Sequence, residues 1–340
     1  MTLPSDMTAI AIAVPGSPEV LTPVRQAPPV PGPADVLIRV AAAGVNGPDL
    51  AQRRGHYAPP PDASPLPGLE VAGEIVALGD AAAGFSIGDR VMALCNGGGY
   101  AEYVAVPSGQ VLPIPQGWSM VEAAGLPETW FTVTQTLVMR AGLKPGMTVL
   151  VHGGAGGIGG AAIQICSIVG ARAIAVVSSA DKADYCEEIG AFATIDRTRE
   201  NIADRVMELT GGHGADRVVD LVGGALAAVN IAASARGGHI LQVSTLEGAN
   251  ATVPLRAMMA RDLTLSGSTL RPQSAATKAA IAERIRSDFL PALATPDWTK
   301  PQVTTFPLEE AARAHAEMES RHHRGKLVLV TAFGAGENQS

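Results

Sequence analysis

The sequence predicts an α/β protein of two units: a doubly wound parallel sheet and a compact β-barrel-like unit. Three observations carry this. From residue 127 to 271, apolar runs alternate with helical segments, the pattern of βαβ units. Before residue 127 the apolar runs are short, alternate with polar residues and are bounded by turn signals. The chain has 340 residues, the length of about two domains.

The elements follow in order. The first part reads as strands at 36–42, 71–78, 90–94 and 101–106, separated by turns such as Pro31-Gly32-Pro33 and Pro59-Pro60-Pro61. The second reads as strands at 148–151, 173–177, 193–195, 217–221, 239–243 and 263–267. Helices at 157–169, 182–189 and 201–209, and one ending at 233, connect them. Right-handed crossovers put those helices on both faces of the sheet. A helix at 275–290, a strand at 303–306, a helix at 308–319 and a strand at 326–331 close the pattern. This tail could extend the parallel sheet or return to the first unit. The return is expected, because the sheet already has six strands. Residues 334–340 are small and polar and read as a frayed tail. The expected domains are 1–126 with 272–340, and 127–271.

Composition narrows the function. A chain 47% hydrophobic and 17% charged buries an ordinary globular core. A net charge of −7 argues against a nucleic-acid partner, which needs a basic face. No apolar run is long enough to span a membrane. Cys95, Cys166 and Cys186 form no CxxC pair and have no zinc-ligand spacing, so no metal is expected. Such sparse cysteines read as reduced thiols, and with no basic-then-apolar leader the expected compartment is the cytoplasm.

The strongest local signal is the run from Val149 through Val151 into Gly154-Ala155-Gly156-Gly157-Ile158-Gly159. It is an apolar strand entering G-x-G-x-x-G and then a helix, the phosphate-binding turn of a Rossmann sheet. Gly154 makes the tight turn, Gly156 lets the backbone approach a pyrophosphate, and Gly159 lets helix pack on strand. The helix start, with Gly157 and Ile158, offers N–H groups and a positive dipole end. NAD-specific sheets place an acid at the end of the second strand to hold the ribose 2′-hydroxyl. Here Val177 is followed by Ser178 and Ser179, and Asp181 stands later, where it is expected to cap the next helix. Lys182 and Arg197 are near enough to pair with a 2′-phosphate. The expected cofactor is therefore NADPH.

Nearly the whole chain resembles the medium-chain dehydrogenase/reductases, in particular their zinc-free quinone oxidoreductases of the zeta-crystallin type. The resemblance rests on Ala43-Gly44-Val45-Asn46-Gly47-Pro48-Asp49-Leu50, Arg54-Gly55-His56-Tyr57 and Pro67-Gly68-Leu69-Glu70-Val71-Ala72-Gly73. Gly88-Asp89-Arg90-Val91, Gly99-Tyr100-Ala101-Glu102-Tyr103, the glycine loop and Gly325-Lys326-Leu327-Val328-Leu329 complete it. It implies a GroES-like β-barrel catalytic domain beside the Rossmann domain, with the active site in the cleft between them. The zinc-dependent branch has a ligand cysteine where Asn46 stands and a ligand histidine where Leu69 stands, so metal-dependent alcohol oxidation is not expected.

The resemblance also assigns residues. Asn46 and Tyr57 match positions facing the nicotinamide and the substrate, and Thr132 matches a cofactor-contacting threonine. Lys182 and Arg321 match 2′-phosphate contacts, and Arg197 stands where relatives have a tyrosine near that phosphate. Val222, Ser244, Leu246, Leu270 and Arg271 fall on loops at the carboxyl ends of strands, where such sheets bind cofactors. Tyr57 would orient or protonate the acceptor. Its bland reading is a packing aromatic, and that of Asn46 is a helix N-cap. Glu70 reads as a buried structural carboxylate, Glu128 as ambiguous, and His152 as a core histidine. The expected function is NADPH-dependent, metal-independent quinone reduction, acting on a small molecule as a homodimer that pairs the strand at 263–267. The alternatives are a reductase of activated C=C bonds in enals or enones, and an NADPH-binding structural or RNA-binding protein with little catalysis.

Overall fold

In the computed structural model, which describes residues 3–337, the first strands are the antiparallel pair β1 (Met7–Ile12) and β2 (Leu21–Gln26). Then follow β3 (Asp35–Gly44), β4 (Glu70–Leu78), β5 (Arg90–Leu94), β6 (Tyr103–Pro107) and β7 (Val111–Pro113). β3 is the hub, paired antiparallel with both β4 and β6. Its period-two alternation is used on both faces. Val36, Ile38 and Val40 pack in one core with Val71, Ile75, Val91 and Val106. Leu37 packs in another with Met7, Ala9 and Tyr103.

The second unit contributes β8 (Thr148–His152), β9 (Arg172–Val177), β10 (Ala193–Asp196), β11 (Ala215–Asp220), β12 (Ser234–Gln242) and β13 (Thr264–Gly267). Every pairing among them is parallel, in the order β10-β9-β8-β11-β12-β13. Renumbered within the unit this is 3-2-1-4-5-6, the Rossmann order, which reverses direction between β8 and β11. Leu150, Ile174, Val176, Val218 and Ile240 fill its core.

The tail returns to the first unit. β14 (Val303–Pro307) pairs parallel with β15 (Lys326–Val330), and β15 pairs antiparallel with β3 through Val328 and Gly44. The compact units divide between Phe131 and Thr132 and between Leu270 and Arg271, against expected boundaries after 126 and 271. The crossing lies inside one continuous run. The helix Pro127–Val133 passes into a π-helical stretch, Thr134–Arg140, which no residue spacing announces.

Several local expectations are corrected. The chain from Gly334 is not frayed: Ala332–Glu337 is helical, and a Cβ on buried Gly334 would lie 2.0 Å from Ala41 O. Residues 338–340, part of that expectation, lie outside the described residues. The helix after Ser274 is Ala275–Asp288, followed by a separate turn, Leu290–Leu293, because Pro291 cannot donate into a continuous helix. Ser179, not Asp181, holds the N-cap of the helix Ala180–Glu188.

Candidate active site

The glycine loop is built where β8 ends. Gly153 takes a left-handed turn (φ 64°), and Gly156 N–H returns to Gly153 O at 3.0 Å. The three motif glycines meet different surroundings. A Cβ on Gly154 would lie 2.7 Å from Ala175 Cβ on β9, and one on Gly159 would lie 2.3 Å from Gly153 O. On Gly156 the nearest atom would be 3.5 Å away. Two glycines are thus required by packing, and the third is not: a Cβ there would make only an ordinary van der Waals contact. The first N–H groups of the helix Gly157–Val169, on Gly157, Ile158 and Gly159, have no acceptor within the helix. This cradle fits a pyrophosphate.

The neighbouring loops all leave carboxyl ends of the parallel strands. Ser178 is half-buried after β9, and Lys182 is half-buried on the helix that follows. Arg197 N–H bonds Val177 O at 3.0 Å, which sets Arg197 beside the end of β9. Its guanidinium is exposed and lies 3.7 Å from Glu247. Val222 N–H and Gly223 N–H both donate to Asp220 Oδ1, at 2.7 and 3.0 Å. Ser244 O accepts from Gln242 at 2.6 Å, and exposed Leu246 bonds Leu221 O through its N–H. Thr132 and Leu270 are buried at the two ends of this unit.

In the first unit the structure gathers a buried polar cluster. Asn46 stands as N-cap before the helix Gly47–Arg53, and its N–H donates to Asp49 Oδ2 at 2.9 Å. Its side-chain amide is committed elsewhere. Asn46 Nδ2 donates to Glu70 Oε1 at 2.8 Å, and Lys326 Nζ donates to Asn46 Oδ1 at 2.7 Å and to Glu70 Oε1 at 2.6 Å. Glu70 Oε2 accepts Glu128 N–H at 2.8 Å. Glu70 is fully buried and Lys326 nearly so. Gly44 is required here, since its Cβ would sit 2.0 Å from Glu70 Oε1.

Beside this cluster, Arg271 Cζ lies 5.6 Å from the centroid of the Tyr57 ring. Arg271 Nε donates to Asn96 O at 2.9 Å and Nη1 to Gln52 Oε1 at 2.7 Å. Lys278 Nζ bonds Asn96 Oδ1 at 2.5 Å and Arg271 O at 2.8 Å. Burial, then the nearby Glu128, raises the Tyr57 hydroxyl above its ordinary value. Burial, then the charges of Glu70 and Asp49, pushes the Glu128 carboxyl up to about 8. Burial likewise raises Asp49 to about 6. Arg321 is exposed, with a left-handed backbone (φ 58°), at the end of the helix Ala311–Ser320. Among the described residues no group of three His, Cys, Asp or Glu could hold a metal, and the three cysteines are buried, unpaired thiols. No helix among them is long and apolar enough to cross a membrane.

Residues 157–284 match the family Zinc-binding dehydrogenase, and residues 32–116 match Alcohol dehydrogenase GroES-like domain. Quinone oxidoreductase of Homo sapiens is 30% identical over 95% of this chain and 98% of its own length. Quinone oxidoreductase-like protein 2 homolog of Nematostella vectensis is 34% identical over 69% of this chain, and the match spans 65% of that relative. The chain is a medium-chain dehydrogenase/reductase of the quinone oxidoreductase type. Its structure overlays quinone oxidoreductase of Escherichia coli complexed with NADPH with a TM-score of 0.81 at 27% identity, covering 95% and 99% of the two chains. An NAD-dependent alcohol dehydrogenase overlays with a TM-score of 0.83 at 33% identity, covering 95% and 99%. The chain is therefore an NAD(P)-dependent oxidoreductase with a GroES-like unit and a Rossmann-type parallel sheet.

Two groups in this oxidoreductase escaped the residue-by-residue reading. One is the ammonium of Lys326, which meets Glu70 from 256 positions away. The other is a buried relay at the carboxyl ends of β8 and β11: His152 Nε2 bonds Asn230 Oδ1 at 2.6 Å, and Asn230 Nδ2 donates to Asp220 Oδ2 at 2.8 Å. Asn230 Oδ1 only accepts, so His152 donates, and Asp220 is left to anchor Val222 and Gly223. A polar residue at 230 inside an apolar helix was the one available signal.

Proposed function

We propose that this protein reduces quinones with NADPH, without a metal. One observation carries the reading. Where the zinc-dependent branch has ligands, Leu69 offers no donor atom, and the Asn46 carbonyl accepts from a buried ammonium 2.7 Å away. A divalent cation beside that ammonium would meet like charge in a poorly solvated site. The alternative chemistry is hydride delivery to an acceptor that is already electrophilic. A bound nicotinamide supplies that hydride.

The chain's own residues bind, orient and shield. The loop Gly154, Gly156, Gly157, Ile158 and Gly159 takes the pyrophosphate, and Ser178, Lys182, Arg197 and Arg321 take the 2′-phosphate. Thr132, Val222, Ser244, Leu246 and Leu270 border the rest of the cofactor. Tyr57, held by the Arg271 guanidinium, orients the acceptor. Asn46 borders the nicotinamide and the acceptor, its amide held by Glu70 at 2.8 Å and more weakly by Gly44 O at 3.5 Å. NADPH bound to the Escherichia coli relative supports the choice of cofactor.

Steady-state assays with NADPH and NADH against a quinone and an enone test the reading. Quinone turnover with an NADPH preference is expected, and Lys182→Ala weakens NADPH by at least tenfold more than NADH. Strong enone turnover without quinone turnover would replace the acceptor. Equal effects of Lys182→Ala on both cofactors would refute the phosphate contact.

A further inference from the structure

We propose that Glu128 is the proton donor of the reduction, its neutral carboxyl giving a proton to the acceptor oxygen; the proposal rests on the reductase reading above. Glu128 is 8% exposed. Its backbone N–H is spent on Glu70, yet no hydrogen bond or ion pair engages its carboxyl among the described residues. Its two buried acidic neighbours are fully engaged. Glu70 takes Lys326, Asn46 and the Glu128 N–H. Asp49 takes the N–H groups of Asn46 and Gly68 at 2.9 Å each.

Three carboxyl groups thus share one poorly solvated cluster, and only one of them holds a cation directly. Like charges at close range cannot all ionise, and the group without donors keeps its proton. The other charged and titratable groups acting here are Lys326 from β15, Lys278 from the helix Ala275–Asp288, and Arg271, Tyr57 and Cys95. The two lysines favour ionisation, but burial and the two carboxylates outweigh them and hold Glu128 near 8.

Position supports the role. Glu128 and Thr132 are four residues apart in one helical run, so their side chains share a face about 5–6 Å apart at Cβ. Thr132 is the position the family resemblance gives to the cofactor. Tyr57 feels the Glu128 charge, so the acceptor-orienting phenol lies in the same field. Tyr57 itself is a poor donor, because its proton is held above the ordinary phenol value.

The balance is simple. A hydride brings two electrons to a conjugated acceptor and leaves negative charge on its oxygen. The Glu128 O–H bond breaks, the new O–H bond forms on the product, and water reprotonates the carboxylate.

The test uses the full chain and Glu128→Gln, with Glu128→Asp as a second variant. Infrared difference titration of the unliganded protein is expected to show a protonated carboxyl lost with a midpoint near 8 and absent from E128Q. With NADPH and quinone, wild-type kcat falls above that pH, and E128Q lowers kcat by about 10²–10⁴-fold and removes the alkaline limb. NADPH affinity stays within about twofold. E128D retains an alkaline limb at a shifted midpoint. Wild-type turnover with no titrating carboxyl, or E128Q keeping both rate and limb, overturns the proposal. If wild type turns over neither quinone nor enone, the reductase reading fails and takes the donor role with it, even where the infrared band is present.

Discussion

Replacing Lys326 by methionine isolates the buried pair on which the first unit's polar cluster is built. Lys326 Nζ lies 2.6 Å from Glu70 Oε1, with side-chain exposures of 6% and 0%. At an effective dielectric constant of about 20 the gross attraction at that distance is about 6 kcal/mol. Desolvation of both charges offsets much of it, so the net worth of the intact pair is small. Removing one partner is a different perturbation, because it strands the Glu70 charge beside Asn46. Such stranding costs about 3–5 kcal/mol. Methionine keeps most of the stem volume, so cavity formation adds little. The assay is denaturant and thermal unfolding at pH 7. For a unit of this size each kcal/mol shifts Tm by about 2–4 °C, which predicts a fall on the order of 6–20 °C. The double variant Glu70→Gln/Lys326→Met removes both charges and recovers at least half of the loss. A single-variant cost below about 1 kcal/mol, or no recovery in the double variant, would refute the view that the ammonium is there to neutralise Glu70.

Four further predictions follow from packing, protonation and an open sheet edge. Gly159→Ala meets Gly153 O at 2.3 Å, a backbone atom that cannot step aside, and destabilises the protein by about 1–3 kcal/mol. Gly156→Ala has its nearest atom at 3.5 Å; it leaves Tm unchanged and raises the NADPH Kd at least tenfold, read by cofactor fluorescence. His315 is buried between Arg53 Nη1 and the Tyr100 hydroxyl, and burial, then Arg53, lowers its pKa to about 3. A depressed histidine contributes stability above its unfolded value near 6.5 that is lost as pH falls toward 3. His315→Gln therefore flattens the acid side of the Tm profile, and an unchanged slope contradicts this. β13 is an open edge strand of its sheet, with Leu265 40% exposed. We propose that two copies pair along it; light scattering should give a dimer for wild type and a monomer for Leu265→Glu, and a monomeric wild type rejects the pairing.

Much of the second unit was legible because its signals are local. The helix after the glycine loop runs Gly157–Val169, the span its spacing predicts, since glycines open it and Gly170 ends it in a left-handed cap (φ 78°). The first unit was less legible. β2 mixes threonine, proline and arginine with few apolar positions, and it is a strand because β1 pairs with it; β1 is a short apolar run, Met-Thr-Ala-Ile-Ala-Ile, with no turn signal close before it. Residues 134–140 are uniformly helix-compatible, so nothing distinguishes the π-helical turn they adopt. The site shows the same division. The phosphate cradle is one contiguous motif. The cluster of Asn46, Glu70, Glu128 and Lys326 draws on four separate elements, and only the tertiary structure shows that the Glu128 carboxyl has no partner among the described residues while Glu70 has three.

The return of β15 to β3 sets an order of events during synthesis. The Rossmann unit is contiguous and has all of its strands once Gly267 emerges. The first unit must wait for its seventh strand and for Lys326. At about 5–20 residues per second, the 256 positions between Glu70 and Lys326 take roughly 13–50 s to be made. Throughout that interval β3 lacks its β15 neighbour and Glu70 has no ammonium, and over the last 59 positions, after Gly267, the second unit already has all of its strands while the first does not.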